Sequence, residues 1–142
     1  YLRLRWREMN RLGGTPLITM RGASELMRAN LAQGGRGLAA IDIPPALAKR
    51  CSPVPFFGRT AYMPRRAIEL AHATGAGLWM FFGEIDRDTL QQRIRIEPID
   101  LNEGVDAAFA RYAAMLETAI RNRPGLWHAW GDAGLYFTVP QQ

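Results

Sequence analysis

Three polar side chains follow segments of this 142-residue sequence that have the apolar pattern of strands. Arg21 follows TPLITM (15–20), Asp42 lies at the end of GLAAIDI (37–43), and Arg59 ends the long loop after that segment. Ligands of open α/β sheets bind in the loops beyond the carboxyl ends of the strands. These three residues are therefore candidate ligand contacts, and Arg21, a cation at the start of a helix pattern, makes better sense if it pairs with Asp42 or holds an anion. A capping or turn role would explain Asp42 equally well.

Histidine is the other candidate for chemistry, and the sequence has only His72 and His128. His128 and Asp132 are four residues apart, so a helix would place them on one face as a general base and its acidic partner. His72, within LAHATGAG, reads as a surface or packing residue. Cys51 is the single cysteine, which excludes an intrachain disulfide and a cysteine metal cluster. We expect no metal and no bound cofactor.

Composition limits the class of protein and of partner. A chain of this length with 48% hydrophobic residues fits a single domain, residues 1–142. Its net charge is +5, and Lys49 is the only lysine among 18 basic residues. The arginine fork suits anionic partners, namely nucleic acid, lipid head groups or a phosphorylated cofactor, although a solvated surface explains the charge equally well. The longest apolar run, 78–82, is much shorter than the roughly 20 residues that span a bilayer.

The first residues, YLRLRWREMNRLGG, have the pattern of a helix that is already under way, and no initiator methionine precedes them. We therefore expect the chain to be the C-terminal part of a longer protein. Arginines beside apolar residues in this segment also predict peripheral attachment to an anionic membrane surface. The residues concerned are Arg3, Arg5, Arg7, Arg11, Leu2, Leu4 and Trp6.

The elements that would position these residues alternate along the chain. Helical patterns cover 22–35, 63–75 and a long stretch from Val105 to about residue 122. Strand patterns cover 15–20, 37–43, 77–85 and 87–99. In the last of these, Ile94 and Ile96 alternate with Arg93 and Arg95, which is typical of an edge strand. The sequence therefore predicts an α/β fold with a mainly parallel central sheet, helices on both faces and an antiparallel edge strand.

The order of these segments resembles a known family. It runs ITMRGASELMRANLAQGGRGLAAIDIPP, VPFFGRTAYMPRRAIELAHATGAGLWMFF, RIRIEPID and LETAIRNRPGLWHAW. This order is similar to the C-terminal part of the lysophospholipid acyltransferase superfamily, in the branch of bacterial lipid A lauroyl and myristoyl acyltransferases. The resemblance covers nearly the whole chain, and it depends on the ordered set rather than on any one motif.

The resemblance implies transfer of a fatty acyl group from an acyl carrier protein or coenzyme A thioester to a hydroxyl of a membrane lipid. It implies that Arg21 and Arg59 hold a phosphate of the acceptor or donor and that Asp42 orients them. Phe56 and Phe57 would border the acyl groove, and Gly58 would let the backbone approach the ligand. Alternatively, the two phenylalanines fill the core and Arg59 is a surface residue. The implied location is the cytoplasmic face of a bacterial inner membrane, as a peripheral protein.

One departure concerns the catalytic base. The family carries a histidine followed five residues later by an acid, and neither histidine of this sequence has that spacing. His128 and Asp132 are one residue short of it and lie in the late Pro-x-x-Trp segment. The chain also has DIPP after its second apolar strand segment, where relatives often have Asp-Gln or Glu-Gly-Thr, which weakens the role of Asp42. We therefore expect the motif to precede Tyr1 and the 142 residues alone to be inactive.

Two other classes remain open from the sequence. One is a non-catalytic lipid-binding or assembly module with the same fold. The other is a nucleic-acid-binding domain, which the basic charge favours but the dispersed arginines do not. No nucleic-acid partner is expected.

Overall fold

The computed structural model describes residues 22–48, 50–86 and 88–140. The helices of this part are α1 (Ala23–Ala32), α2 (Arg66–Thr74) and α3 (Val105–Asn122). The strands are β1 (Ser52–Phe56), β2 (Arg59–Met63), β3 (Leu78–Ile85) and β4 (Gln92–Ile99). Segments of 3₁₀ helix lie at Pro45–Leu47, Pro124–Leu126 and His128–Phe137.

The prediction of a mainly parallel, acyltransferase-like central sheet with helices on both faces is wrong. The described strands form two separate antiparallel two-stranded sheets, β1–β2 and β3–β4. Only residues 57–58 separate the first pair and residues 86–91 the second. Such direct reversals produce antiparallel neighbours, because parallel strands need a crossover connection of about a dozen residues or more.

Segment 37–43, which was predicted to be a buried strand, pairs with no described strand. Its residues 37–40 are exposed and residues 41–43 are half-buried. An apolar run shows that a segment lacks polar side chains, but it does not identify a pairing partner. The predicted strand 15–20, Arg21 and the predicted N-terminal helix lie outside the described residues.

The end of the stretch predicted as a long loop before Arg59 is in fact part of the hairpin β1–β2. Phe57 and Gly58 form its two-residue turn with φ values of 50° and 72°, and two positive φ values are typical of a type I′ turn. Pro53 and Pro55 lie opposite Tyr62 and Thr60, positions that alternate with the hydrogen-bonded pair beside the turn. Proline has no N–H to donate, so it is tolerated at these non-hydrogen-bonded positions.

Helix α2 confirms its sequence prediction closely. It begins two residues after Pro64 and ends at Gly75, which adopts a left-handed conformation with φ of 66°. The amide of Ala76 donates to the carbonyl of Ala71, which satisfies a carbonyl at the end of the helix. Ile68 and Ala71 face inward and are buried.

Helix α3 supplies one wall of the core. Its predicted apolar stripe is confirmed, and Phe109, Tyr112 and Leu116 are buried. The hairpin β1–β2, α2 and the C-terminal 3₁₀ segment pack with it in one buried cluster. The largest fully enclosed side chains of this cluster are Phe56, Met63, Ile68 and Tyr136.

The ribbon β3–β4 is the predicted antiparallel pair, with residue 78 opposite residue 99 and residue 85 opposite residue 92. On one face, Arg95 lies over the ring of Phe82 at 4.4 Å and hydrogen-bonds Glu84 at 3.0 Å. The other face is apolar and exposed. The two sheets therefore differ in how they bury their apolar side chains.

Candidate functional site

An open groove of about 750 Å³ lies among the described residues. Its walls come from α1, segment 37–42, β3 and α3, and most of its exposed lining is apolar. Met27, Leu31, Leu78, Tyr112 and Leu116 contribute to these walls. A cavity of this size and character is typical of a site for a small apolar ligand.

The groove runs along β3. Every residue from 76 to 84 lines it, and so do Arg95 and Ile99 of β4. Residues 37–42 line it as well. Because β3 pairs only with β4 in the described part of the chain, backbone groups along its other edge have no strand partner there.

Asp42 and His128 are the predicted site residues that line the groove. The hydroxyl of Tyr136 donates to the backbone carbonyl oxygen of Asp42 at 2.7 Å, which ties segment 37–43 to the C-terminal 3₁₀ segment. Burial raises the pKa of the Asp42 carboxyl, and the nearby charge of His128 lowers it by a smaller amount. His128 is exposed and also lines the groove, so the fold brings the two together.

The predicted pairing of His128 with Asp132 depends on α-helical geometry that the segment does not have. Residues 128–137 form a 3₁₀ helix, in which residues three apart, not four, lie above one another. Asp132 does not line the groove. Asp42, unlike Asp132, shares the groove with His128, and Glu84 of β3 is a second carboxylate in the lining.

Two tyrosines near Asp42, Tyr112 and Tyr136, were not predicted from the sequence to be site residues. Burial raises the pKa of Tyr112 well above its ordinary value, and the negative charge of Asp42 adds to the effect. Burial likewise raises the pKa of Tyr136, with contributions from Asp42 and Asp132. Both hydroxyls therefore stay protonated at neutral pH and can donate hydrogen bonds. A tyrosine within an apolar helical stripe, as at position 112, was the available signal, since a buried hydroxyl needs a partner.

Arg59 lies at the start of β2. Its guanidinium stacks over the ring of Phe137 at 4.2 Å, and Arg59 takes part in none of the ion pairs found among the described residues. It lines a smaller cavity of about 180 Å³, together with Phe56, Phe57 and Trp127, and does not line the groove. The structure therefore does not bring Arg59 and Asp42 into one site.

The Phe-Phe-Gly-Arg stretch has a clear packing role. Phe56 is 1% exposed and contacts Phe57, Trp127 and Phe137. The amide of Phe57 donates to Oε2 of Glu117 at 2.5 Å, which attaches the hairpin turn to α3. That hydrogen bond, helped by Arg121, holds the pKa of Glu117 below its ordinary value, and burial opposes the shift.

Positive charge is dispersed over the described surface. Most of its ion pairs join arginines to carboxylates on the same or a neighbouring element. The pairs are Arg65 with Glu69 and Asp106, Arg66 with Glu69, Arg93 with Asp86, Arg95 with Glu84 and Glu97, and Arg121 with Glu117. This pattern counts against a continuous basic face for nucleic acid.

In the described part of the chain, no group of three or more His, Cys, Asp or Glu side chains is arranged to hold a metal ion. No helix among the described residues has both the length and the apolar composition needed to cross a membrane. No protein-family model and no curated protein matches this sequence. The acyltransferase resemblance accordingly stays a prediction.

Proposed function

We propose that the groove along β3 binds a long fatty acyl chain and that the protein is an acyltransferase, or a fragment of one. The acyl group would move from an acyl carrier protein or coenzyme A thioester to a hydroxyl of a membrane lipid at a membrane surface. The observation that carries the proposal is the largely apolar groove of about 750 Å³ with Asp42 and His128 in its lining.

The size and lining of the groove support an acyl ligand. Its volume falls within the roughly 300–1,000 Å³ typical of small-molecule sites. Met27, Leu31 and Leu116 offer side chains that methylene groups can contact. Each buried methylene contributes about 0.8 kcal/mol, so a chain of ten or more carbons gains substantial affinity without a charged partner.

In the proposed reaction, the acceptor hydroxyl oxygen attacks the thioester carbonyl carbon while a base takes the hydroxyl proton. The new C–O bond replaces the C–S bond, and the sulfur takes up a proton and leaves as the thiol. His128 lies in the groove, whereas His72 is exposed on α2 and does not line it. Asp42 would orient an imidazole there, and the protonated hydroxyl of Tyr112 would be available as a hydrogen-bond donor.

The binding step can be tested with a fluorescent fatty acid and two matched variants of α1. Met27→Glu places a carboxylate in the groove lining, whereas Leu26→Glu makes the same change at a neighbouring, 57% exposed position outside it. We expect Met27→Glu to weaken binding at least tenfold, because a charge opposes entry of an apolar chain. Leu26→Glu should bind like the unchanged protein. Equal affinity of the two variants would contradict the acyl site.

A second candidate is an assembly module that takes an extended peptide instead of a lipid. It is favoured by the continuous lining of the groove by residues 76–84, since β3 has one edge without a described strand partner and an added strand could pair with that edge. Competition separates the two candidates. Displacement of the bound fluorescent fatty acid by other fatty acids, but not by extended apolar peptides, supports the acyl ligand. Displacement by the peptides, but not by other fatty acids, supports the peptide.

A further inference from the structure

One face of the ribbon β3–β4 exposes several large apolar side chains. Ile94 is 70% exposed, Ile96 63%, Trp79 61% and Phe81 51%. Ile85 extends the same face and is also exposed. We call these five side chains the ribbon face. Large apolar patches of this kind on a protein surface usually mark an interaction site.

The register explains why these side chains share one side. Phe81 lies opposite Ile96, and Gly83 lies opposite Ile94. Side chains alternate along each strand, so Trp79, Phe81 and Ile85 point the same way as their partners in β4. A solvated sheet surface would carry polar residues at these positions. Here Gln92, opposite Ile85, is the polar residue at the end of the face, whereas Glu84 and Arg95 lie on the opposite face and pair with each other.

We propose that the ribbon face docks on the surface of a lipid bilayer. Trp79 and Phe81 belong to the ribbon face and also line the groove, so the groove opens beside it. An acyl chain could then pass from the bilayer into the groove without crossing water, an argument that rests on the proposed function. Tryptophan also favours the boundary between hydrocarbon and head groups.

The rim of the ribbon face fits the same partner. The guanidinium of Arg123 donates to the carbonyl oxygen of Ile85 at 2.9 Å, which places a positive charge beside the end of the face. Guanidinium groups at the border of an apolar surface can meet lipid phosphates while the apolar side chains enter the bilayer.

The test is co-sedimentation of the 142-residue chain with neutral phosphatidylcholine vesicles. Replacing both ribbon isoleucines, Ile94→Glu and Ile96→Glu, should lower the partition coefficient roughly tenfold for each residue, because each loses a buried apolar side chain. The matched control, Leu26→Glu with Val139→Glu, changes two side chains that are 57% and 67% exposed elsewhere. The control should bind like the unchanged protein. Phe81→Ser provides a second ribbon variant, and circular dichroism checks that every variant is folded.

Equal loss of binding in the ribbon and control variants would overturn the proposal, as would absence of binding to neutral vesicles by the unchanged chain. Sedimentation velocity tests whether a second copy of the chain occupies the face instead. If the unchanged protein is a dimer that does not bind vesicles, and the ribbon variant is a monomer, the face is a dimer interface. The proposed function fails separately. Suppose that Met27→Glu and Leu26→Glu bind fatty acid equally while the ribbon variant still loses vesicle binding. That result would support the docking face and contradict the acyl groove.

Discussion

The two hairpins of this chain have similar architecture and opposite surroundings. In β1–β2, Val54, Phe56 and Ala61 are buried against α3 and the C-terminal segment. In β3–β4, one apolar face remains exposed and β3 lines the groove. An isolated two-stranded sheet is marginally stable, so the first hairpin depends on its packing. The first hairpin therefore contributes mainly to the stability of the fold, whereas the second offers an exposed surface to ligands.

The largest expected effect contrasts one phenylalanine from each hairpin. Phe56→Ala removes an enclosed ring and should lower the free energy of unfolding by about 3–5 kcal/mol. Phe81→Ala removes a half-exposed ring and should cost under about 1 kcal/mol. Urea unfolding of both variants measures the difference. Similar costs would mean that the ribbon face is buried in solution, which would break the comparison.

The turns of the two hairpins are also held differently. The second turn is held locally, because Oδ1 of Asp86 accepts the amides of Asp88 and Thr89. The first is attached to α3 through Glu117, and Glu117→Gln should cost about 1 kcal/mol because a charged acceptor is lost.

The same bond predicts a pH dependence. The pKa of Glu117 is lowered in the folded protein by the amide of Phe57 and by Arg121, so the stabilisation is present above the unfolded pKa of about 4.3. It is lost as pH falls through the lower folded value. We expect the stability difference between the unchanged protein and Glu117→Gln to shrink as pH falls below that range. A difference that is constant from pH 7 to pH 3 would contradict the assignment.

The smallest effect concerns Arg59, which stacks on Phe137 much as Arg95 stacks on Phe82 in the ribbon. Loss of an exposed stacked guanidinium should cost about 0.5–1 kcal/mol in Arg59→Ala, and less in Arg59→Lys, which keeps the cation. Arg66→Ala is the control, since its surface ion pair with Glu69 contributes little. If Arg59→Lys instead lowers acyl-transfer efficiency at unchanged melting temperature, the phosphate role predicted from the sequence is the better account.

The elements that the sequence predicted well are those whose signals are local. Helix α2 ends at Gly75 as predicted, α3 follows its apolar stripe, and β4 shows the alternation of Ile94 and Ile96 with arginines. Helical caps and periodicity depend on neighbouring residues, so they can be read from one segment.

The errors concern pairing between distant segments. Residues 37–43 have a strand pattern but no described partner, because composition does not encode which edge a segment meets. The first hairpin was missed because its turn is Phe-Gly rather than Asn-Gly and its strand contains Pro53 and Pro55. The candidate site shows the same division. Asp42 lines the groove as the sequence suggested. Arg59 instead stacks on Phe137 outside the groove, a tertiary contact that no local sequence pattern predicts.

The central claim, that the groove beside the exposed ribbon takes an acyl chain, is tested most directly by titration calorimetry with saturated fatty acids of increasing length. Each added methylene should tighten binding about fourfold, which corresponds to about 0.8 kcal/mol, until the groove is filled. Each two-carbon step should thus strengthen binding roughly 16-fold, and Met27→Glu should reduce that dependence. Affinity that does not change with chain length, or that responds equally to Leu26→Glu and Met27→Glu, would contradict the account.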